Sequence, residues 1–117
     1  MIIGIGFDVV ELSRIKSAVL RNGRFVDRIL TANEKQMYQR LNERRRIEFL
    51  AGRFAAKEAY AKARGTGIGT LSWHDIDVTS KNGQPVIESA GDETIHISIT
   101  HTKSFAAAQV IIESPSG

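Results

Sequence analysis

There is no cysteine in the 117 residues, which excludes a disulfide framework, a thiolate metal site and a cysteine nucleophile. No apolar run approaches the roughly 20 residues of a membrane-spanning helix, so no membrane partner is expected. The loop Gly65-Thr66-Gly67-Ile68-Gly69 follows a helical stretch instead of opening one, and no Gly-Lys-Ser/Thr comes after it. It is therefore not a P-loop, which argues against a nucleoside-triphosphate kinase. No serine nucleophile elbow with an ordered Asp and His is present either. With no repeat, linker or low-complexity stretch, residues 1–117 are expected to form one domain. The first twelve residues hold no base and carry Asp8 and Glu11, so a secretory signal is not expected and a cytoplasmic location is.

The net charge of +3 is unevenly spread. Residues 14–53 hold eleven bases against four acids, whereas residues 54–117 hold five bases against seven acids. That central third carries a strong positive field and favours a polyanionic partner. A nucleic acid, a phosphorylated cofactor and an acidic protein all satisfy it.

Alternation in residues 1–10 predicts a strand with Ile3, Ile5, Phe7 and Val9 on one face and Gly4, Gly6 and Asp8 on the other. Bare glycine backbone on a strand marks close approach of a ligand or another element. A helix is predicted from Ser13, as its cap, to Asn22-Gly23, with Arg14 and Arg21 facing solvent. A short helix follows over Arg24–Ile29, and Thr31 with Glu34 forms a capping-box pattern for another to about Leu41. The longest helix is predicted over Glu43–Arg64, ending at Gly65. Strands are expected at Asp75–Ser80, Pro85–Ala90, Ile95–Thr100 and Phe105–Glu113, with Asn82-Gly83 as a hairpin turn and a frayed tail at Ser114–Gly117. The fold class is α+β: one long and several short helices packed on an antiparallel sheet.

Some residues break this pattern in ways that carry chemistry. Eleven helical residues bring Glu58 to within about 20° of Ile47, so a carboxylate sits on the apolar stripe of the longest helix. Lys62, one turn later, is within pairing reach of Glu58, and a structural ion pair is the alternative to a functional site. Asp8 stands on the glycine face where that helix would pack. Two carboxylates from separate elements suit a hard cation such as Mg²⁺; alternatively, Asp8 caps the helix that follows it. His101 and Lys103 fall in the connection between the last two strands, as a functional pair or an ordinary solvated turn. Arg44-Arg45-Arg46 and Arg53 could grip phosphate bidentately, or form a solubilising face.

Three segments together, Gly4-Ile5-Gly6-Phe7-Asp8, Arg53 to Lys62 (RFAAKEAYAK) and Ser98-Ile99-Thr100-His101-Thr102, resemble the small bacterial 4′-phosphopantetheinyl transferases of the holo-[acyl-carrier-protein] synthase family. The helical segment is similar to the family signature Phe-x-x-Lys-Glu-Ala-x-x-Lys and runs into the glycine loop as family members do. The resemblance implies transfer of the phosphopantetheine arm of coenzyme A to a serine of apo-acyl carrier protein, leaving adenosine 3′,5′-bisphosphate. It implies Mg²⁺ held by Asp8 and Glu58, and a homotrimer with coenzyme A between neighbouring subunits, where Gln109 in the apolar last strand would make a buried interface hydrogen bond. On that basis Glu58 and Lys62 are the expected catalytic residues. Arg45, Arg53, Lys57, Gly65, Gly67, His101 and Thr102 are expected around the coenzyme, and Arg14, Arg21 and Arg24 on the face that meets the acidic carrier. A competing non-enzymatic nucleic-acid binder would place aromatics among the basic run, and none occurs near Arg44–Arg46 before Phe49. An enzyme acting on another phosphorylated metabolite with the same cation site is the third reading.

Overall fold

A computed structural model describes residues 1–69 and 71–115. Strand β1 (Ile2–Glu11) leads into helices α1 (Leu12–Arg21), α2 (Phe25–Ile29), α3 (Ala32–Gln39) and α4 (Glu43–Arg64). A 3₁₀ turn (Trp73–Asp75) then precedes β2 (Val78–Lys81), β3 (Gln84–Ile87), β4 (Thr94–His101) and β5 (Phe105–Glu113). The α+β class and the helices on an antiparallel sheet are as the sequence predicts.

Two sheets form. One is three-stranded and antiparallel in the order β1-β5-β4; the other is the β2-β3 hairpin. Local chemistry sets several boundaries. Thr31 and Glu34 close a reciprocal capping box on α3, the Asn42 side chain caps α4, and Gly65 ends α4 at φ 77°. Asn82 at φ 54° and Gly83 at φ 79° make the predicted turn, positive φ at both positions matching the twist of the flanking strands.

Helix α4 lies across the inner face of the larger sheet. Its alanines Ala51, Ala55, Ala56, Ala59 and Ala63 are buried there with Val10, Ala106, Ala108, Val110 and Ile112. The outer face is different. Ile3, Ile5, Phe7 and Val9 alternate onto it as predicted, and yet Ile5 and Phe7 stay 59% and 56% exposed. An exposed apolar patch of that kind marks an interaction surface.

Some boundaries differ from expectation. Helix α1 starts at Leu12, with Glu11 in the N-cap position and no side-chain cap, so Ser13 lies inside the first turn. The strand expected from Asp75 begins only at Val78, because Ser72 and Asp75 close a capping box on the 3₁₀ turn. The strand expected at Pro85–Ala90 is Gln84–Ile87. His101 is the last residue of β4, paired with Ala106, and so is not in the turn. The predicted tail is not frayed at Ser114, whose N–H and carbonyl both bond Met1; Ser116 and Gly117 lie outside the described residues.

Candidate active site

Two glycines build the first cluster. A Cβ on Gly6 would stand 1.8 Å from the Ala59 carbonyl oxygen, and one on Gly4 would stand 1.9 Å from that of Ala63. Only bare backbone lets β1 lie this close to the C-terminal half of α4. Asp8 is the next inward-facing residue after Gly6, and Glu58 immediately precedes Ala59, so the two carboxylates converge.

Their electrostatics are unequal. Lys62 Nζ donates to Asp8 Oδ1 at 3.1 Å and to the Phe7 carbonyl oxygen at 3.0 Å. The alternative of a structural Glu58–Lys62 ion pair is not what forms: β1 offers the ammonium two acceptors at once. Glu58 is half-buried and has no hydrogen-bond or ion-pair partner among the described residues. Burial, then the charge of Asp8, raise its pKa above the usual carboxylate range, against the opposing pull of Lys62. Two acids facing each other, one without a donor, fit a hard cation with oxygen ligands.

A second cluster forms at the other edge of the sheet. Arg45, Glu48, Phe49, Gly52 and Arg53 of α4 face Ile99 and His101 of β4 and Ser80, Gly83 and Pro85 of the hairpin across a groove of about 450 Å³. Arg53 stacks on the Phe49 ring at 4.2 Å, and its Nε is buried with no hydrogen-bond partner among the described residues. Glu48 lies 3.6 Å from Arg45 Nε and 3.8 Å from His101 Nδ1. Two arginines and a histidine lining one groove are a donor set suited to anionic oxygens. The structure thus gathers Arg45, Arg53 and His101, drawn from two distant motifs. The sequence reading missed Phe49, Ser80 and Pro85; only the i, i+4 spacing of Phe49 and Arg53 signalled any of them. A larger groove of about 720 Å³ between α1 and the start of α4 takes Arg44, Arg46 and Lys103, which are thereby separated from Arg45, Arg53 and His101.

Four expected coenzyme contacts are placed elsewhere. Lys57 is completely buried and its ammonium donates to Glu34, Ile29 and Trp73, which leaves no N–H for a phosphate; this corrects its expected role. The N–H groups of Gly65 and Gly67 turn back onto the last carbonyls of α4, so these glycines reverse the chain and offer no amide to a ligand. Thr102 is exposed, with its hydroxyl oxygen accepting from the N–H groups of Ser104 and Phe105 in the β4–β5 turn.

Arg14 and Arg21 on α1 and Arg24 before α2 are exposed and unpaired among the described residues. Beside them Phe25 stacks on Phe54, and Phe54 on Trp73, with centroids 6.3 and 5.1 Å apart.

Comparison with known proteins converges on one family. Residues 4–111 match the 4′-phosphopantetheinyl transferase superfamily. A holo-[acyl-carrier-protein] synthase from Geobacillus sp. (strain WCH70) is 57% identical over 116 residues, covering 97% of this chain and 98% of the relative. One from Halalkalibacterium halodurans is 56% identical, covering 97% of each. Among solved structures, a holo-(acyl-carrier-protein) synthase from Bacillus anthracis in complex with CoA (3′,5′-ADP) superposes with TM-score 0.91 at 48% identity, covering 97% of this chain and 98% of that one. The Helicobacter pylori holo-[acyl-carrier-protein] synthase in complex with coenzyme A gives TM-score 0.82 at 31% identity, with 93% and 99% covered.

Proposed function

The chain belongs to the 4′-phosphopantetheinyl transferase superfamily, and we propose from that premise that it is a holo-[acyl-carrier-protein] synthase. It transfers 4′-phosphopantetheine from coenzyme A to a serine of apo-acyl carrier protein. The convergence of Asp8 and Glu58, with Lys62 beside them, carries this reading.

The serine oxygen bonds to the phosphorus that bears the pantetheine arm. The bond from that phosphorus to the bridging oxygen breaks, and adenosine 3′,5′-bisphosphate leaves. Glu58, a carboxylate with no donor among the described residues, takes the serine proton directly or through an intervening water. Lys62 supplies positive charge to the phosphoryl oxygens and the leaving group. Asp8 and Glu58 would hold Mg²⁺, which when bound offsets charge on the pyrophosphate. Arg45, Arg53 and His101 bind phosphates of the coenzyme, including its 3′-phosphate, a role supported by their lining one groove. Arg14, Arg21 and Arg24 dock the acidic carrier.

The two clusters belong to a shared site in this reading. Within one chain, Asp8 is on edge strand β1 and His101 on edge strand β4. Arg53 and Glu58, five residues apart, diverge by about 140° around α4. Packing the outer sheet faces of three copies around Gln109 would cover Ile3, Ile5, Phe7 and Val9, and coenzyme A would span the carboxylates of one copy and the groove of its neighbour. The enzyme would serve fatty acid synthesis in the cytoplasm.

Incubation with coenzyme A, Mg²⁺ and apo-acyl carrier protein, followed by weighing the carrier, tests the activity. The expected result is a carrier heavier by one phosphopantetheine group. An unchanged carrier would leave the reading of an enzyme for another phosphorylated metabolite.

A further inference from the structure

Glu34 and Lys57 are both fully buried, yet every polar group on them is used. Glu34 accepts from the N–H of Thr31 at 2.9 Å, from Lys57 Nζ at 2.6 Å and from the N–H of Val78 at 2.6 Å. All of these partners are donors, so a carboxylate is required where an amide would present its NH₂ to at least one of them. Lys57 donates to Glu34, to the Ile29 carbonyl at 2.6 Å and to the Trp73 carbonyl at 3.1 Å. Its partners are all acceptors, which suits an ammonium.

The pair therefore joins α4 to the end of α2, the cap of α3, the 3₁₀ turn and the first residue of β2. A two-stranded hairpin is marginal on its own and needs an external anchor. The β2–β3 hairpin has one at its base: Thr31 and Asn33 donate to Asp77, and Glu34 holds Val78. That hairpin supplies Ser80, Gly83 and Pro85 to the groove, opposite Arg53, which stands one turn before Lys57 on α4. A buried ion pair is a poor device for stability alone, since well-packed apolar groups often replace it without loss.

We propose that Glu34 and Lys57 are positioning residues that fix the hairpin wall of the 450 Å³ groove against α4 and so set its affinity for the coenzyme. This rests on the reading of that groove as the coenzyme site. Neither side chain touches the ligand. Glu34→Gln keeps the shape and cannot satisfy all the donors; the double variant Glu34→Leu with Lys57→Met replaces the pair by apolar groups.

Steady-state transfer is measured for both, with circular dichroism and melting to establish folding. The expected result is a KM for coenzyme A raised at least ~10-fold, because small displacements of positioning groups are costly. The kcat and the KM for carrier should stay within about twofold of the parent, since transition-state groups are untouched. Folded variants with a parental KM for coenzyme A would overturn the proposal, as would a fall in kcat with KM unchanged. If both variants fail to fold, the pair is structural and the proposal also falls. Arg53→Ala serves as the control. A parental KM there removes the groove reading itself, whereas a raised KM there with parental pair variants removes only the positioning role.

Discussion

Lys62 Nζ is bound to Asp8 and to the backbone of Phe7 at 3.1 and 3.0 Å, while Glu58, one turn earlier on the same helix, meets no donor among the described residues. The local lysine has gone to the strand and the helix keeps an unmatched acid. Two carboxylates against one ammonium leave surplus negative charge there, and its cost to the folded chain depends on pH.

Glu58→Gln should lower transfer at least ~100-fold, the scale of a lost proton acceptor. It should also stabilise the metal-free chain near neutral pH. The folded-state pKa of Glu58 is raised, so the folded chain binds its proton more tightly than the unfolded chain does. That contribution is fully present below the unfolded value of about 4.3 and is lost as pH rises through the folded value. The melting temperature of the glutamine variant, relative to the parent in chelator, should therefore climb from pH 4 to pH 7. A gap that is flat across that range would contradict the placement of Glu58.

Gly6→Ala tests the helix–strand contact that brings the acids together. The new methyl would meet Ala59 O at 1.8 Å, Ala59 C at 2.7 Å and Ala63 N at 2.9 Å, all of them backbone, so β1 and α4 must separate. Overpacking of this kind costs about 1–3 kcal/mol or more, and transfer should fall as Asp8 draws away from Glu58. Gly23→Ala, with nothing within 4 Å, is the reference; it should stay within about 0.5 kcal/mol. Urea unfolding of the two measures the contrast, and equal midpoints would refute it.

What the sequence made legible was local. Gly65 after a periodic run, Thr31 with Glu34, and Asn82-Gly83 each act over a few residues, and each sits where its chemistry requires. The bare face of β1 was also readable, since period-two alternation needs no knowledge of the partner. Partner choice across long separations was not. Lys62 had Glu58 four residues away and took Asp8, 54 residues away. Lys57 lies in the same motif as Glu58, and nothing in its neighbours shows that Ile29, Glu34 and Trp73 enclose it. His101 extends β4 because Ala106 pairs with it, a register that turn chemistry alone does not set.

Phe7→Asp should give a folded monomer. Phe7 stands opposite Gln109 on the outer face of the sheet and is 56% exposed, so a single chain loses little by the change. Three copies packed on that face would have to bury the new carboxylate without a partner, which is strongly unfavourable. Sedimentation at working concentration should show a trimer for the parent and a monomer for the variant. Transfer should fall with assembly, since each coenzyme would lose its second subunit. A monomeric parent with full activity would rule out the shared site.

Reversing Arg14, Arg21 and Arg24 to Glu should separate carrier docking from chemistry. None of the three has an ion-pair partner among the described residues, so folding has no stake in their sign and melting should be unchanged. They lie on and just after α1, away from the groove that contains Arg45, Arg53 and His101, so the KM for coenzyme A should hold. An acidic carrier, however, would meet repulsion where it had met attraction. Electrostatic steering acts on the encounter rate and is screened by salt. The kcat/KM for carrier should drop ~10-fold or more at low ionic strength, the usual scale of steering. Its salt dependence should flatten or invert, because added salt now relieves repulsion. A parental slope of log kcat/KM against ionic strength would show that the carrier approaches another face.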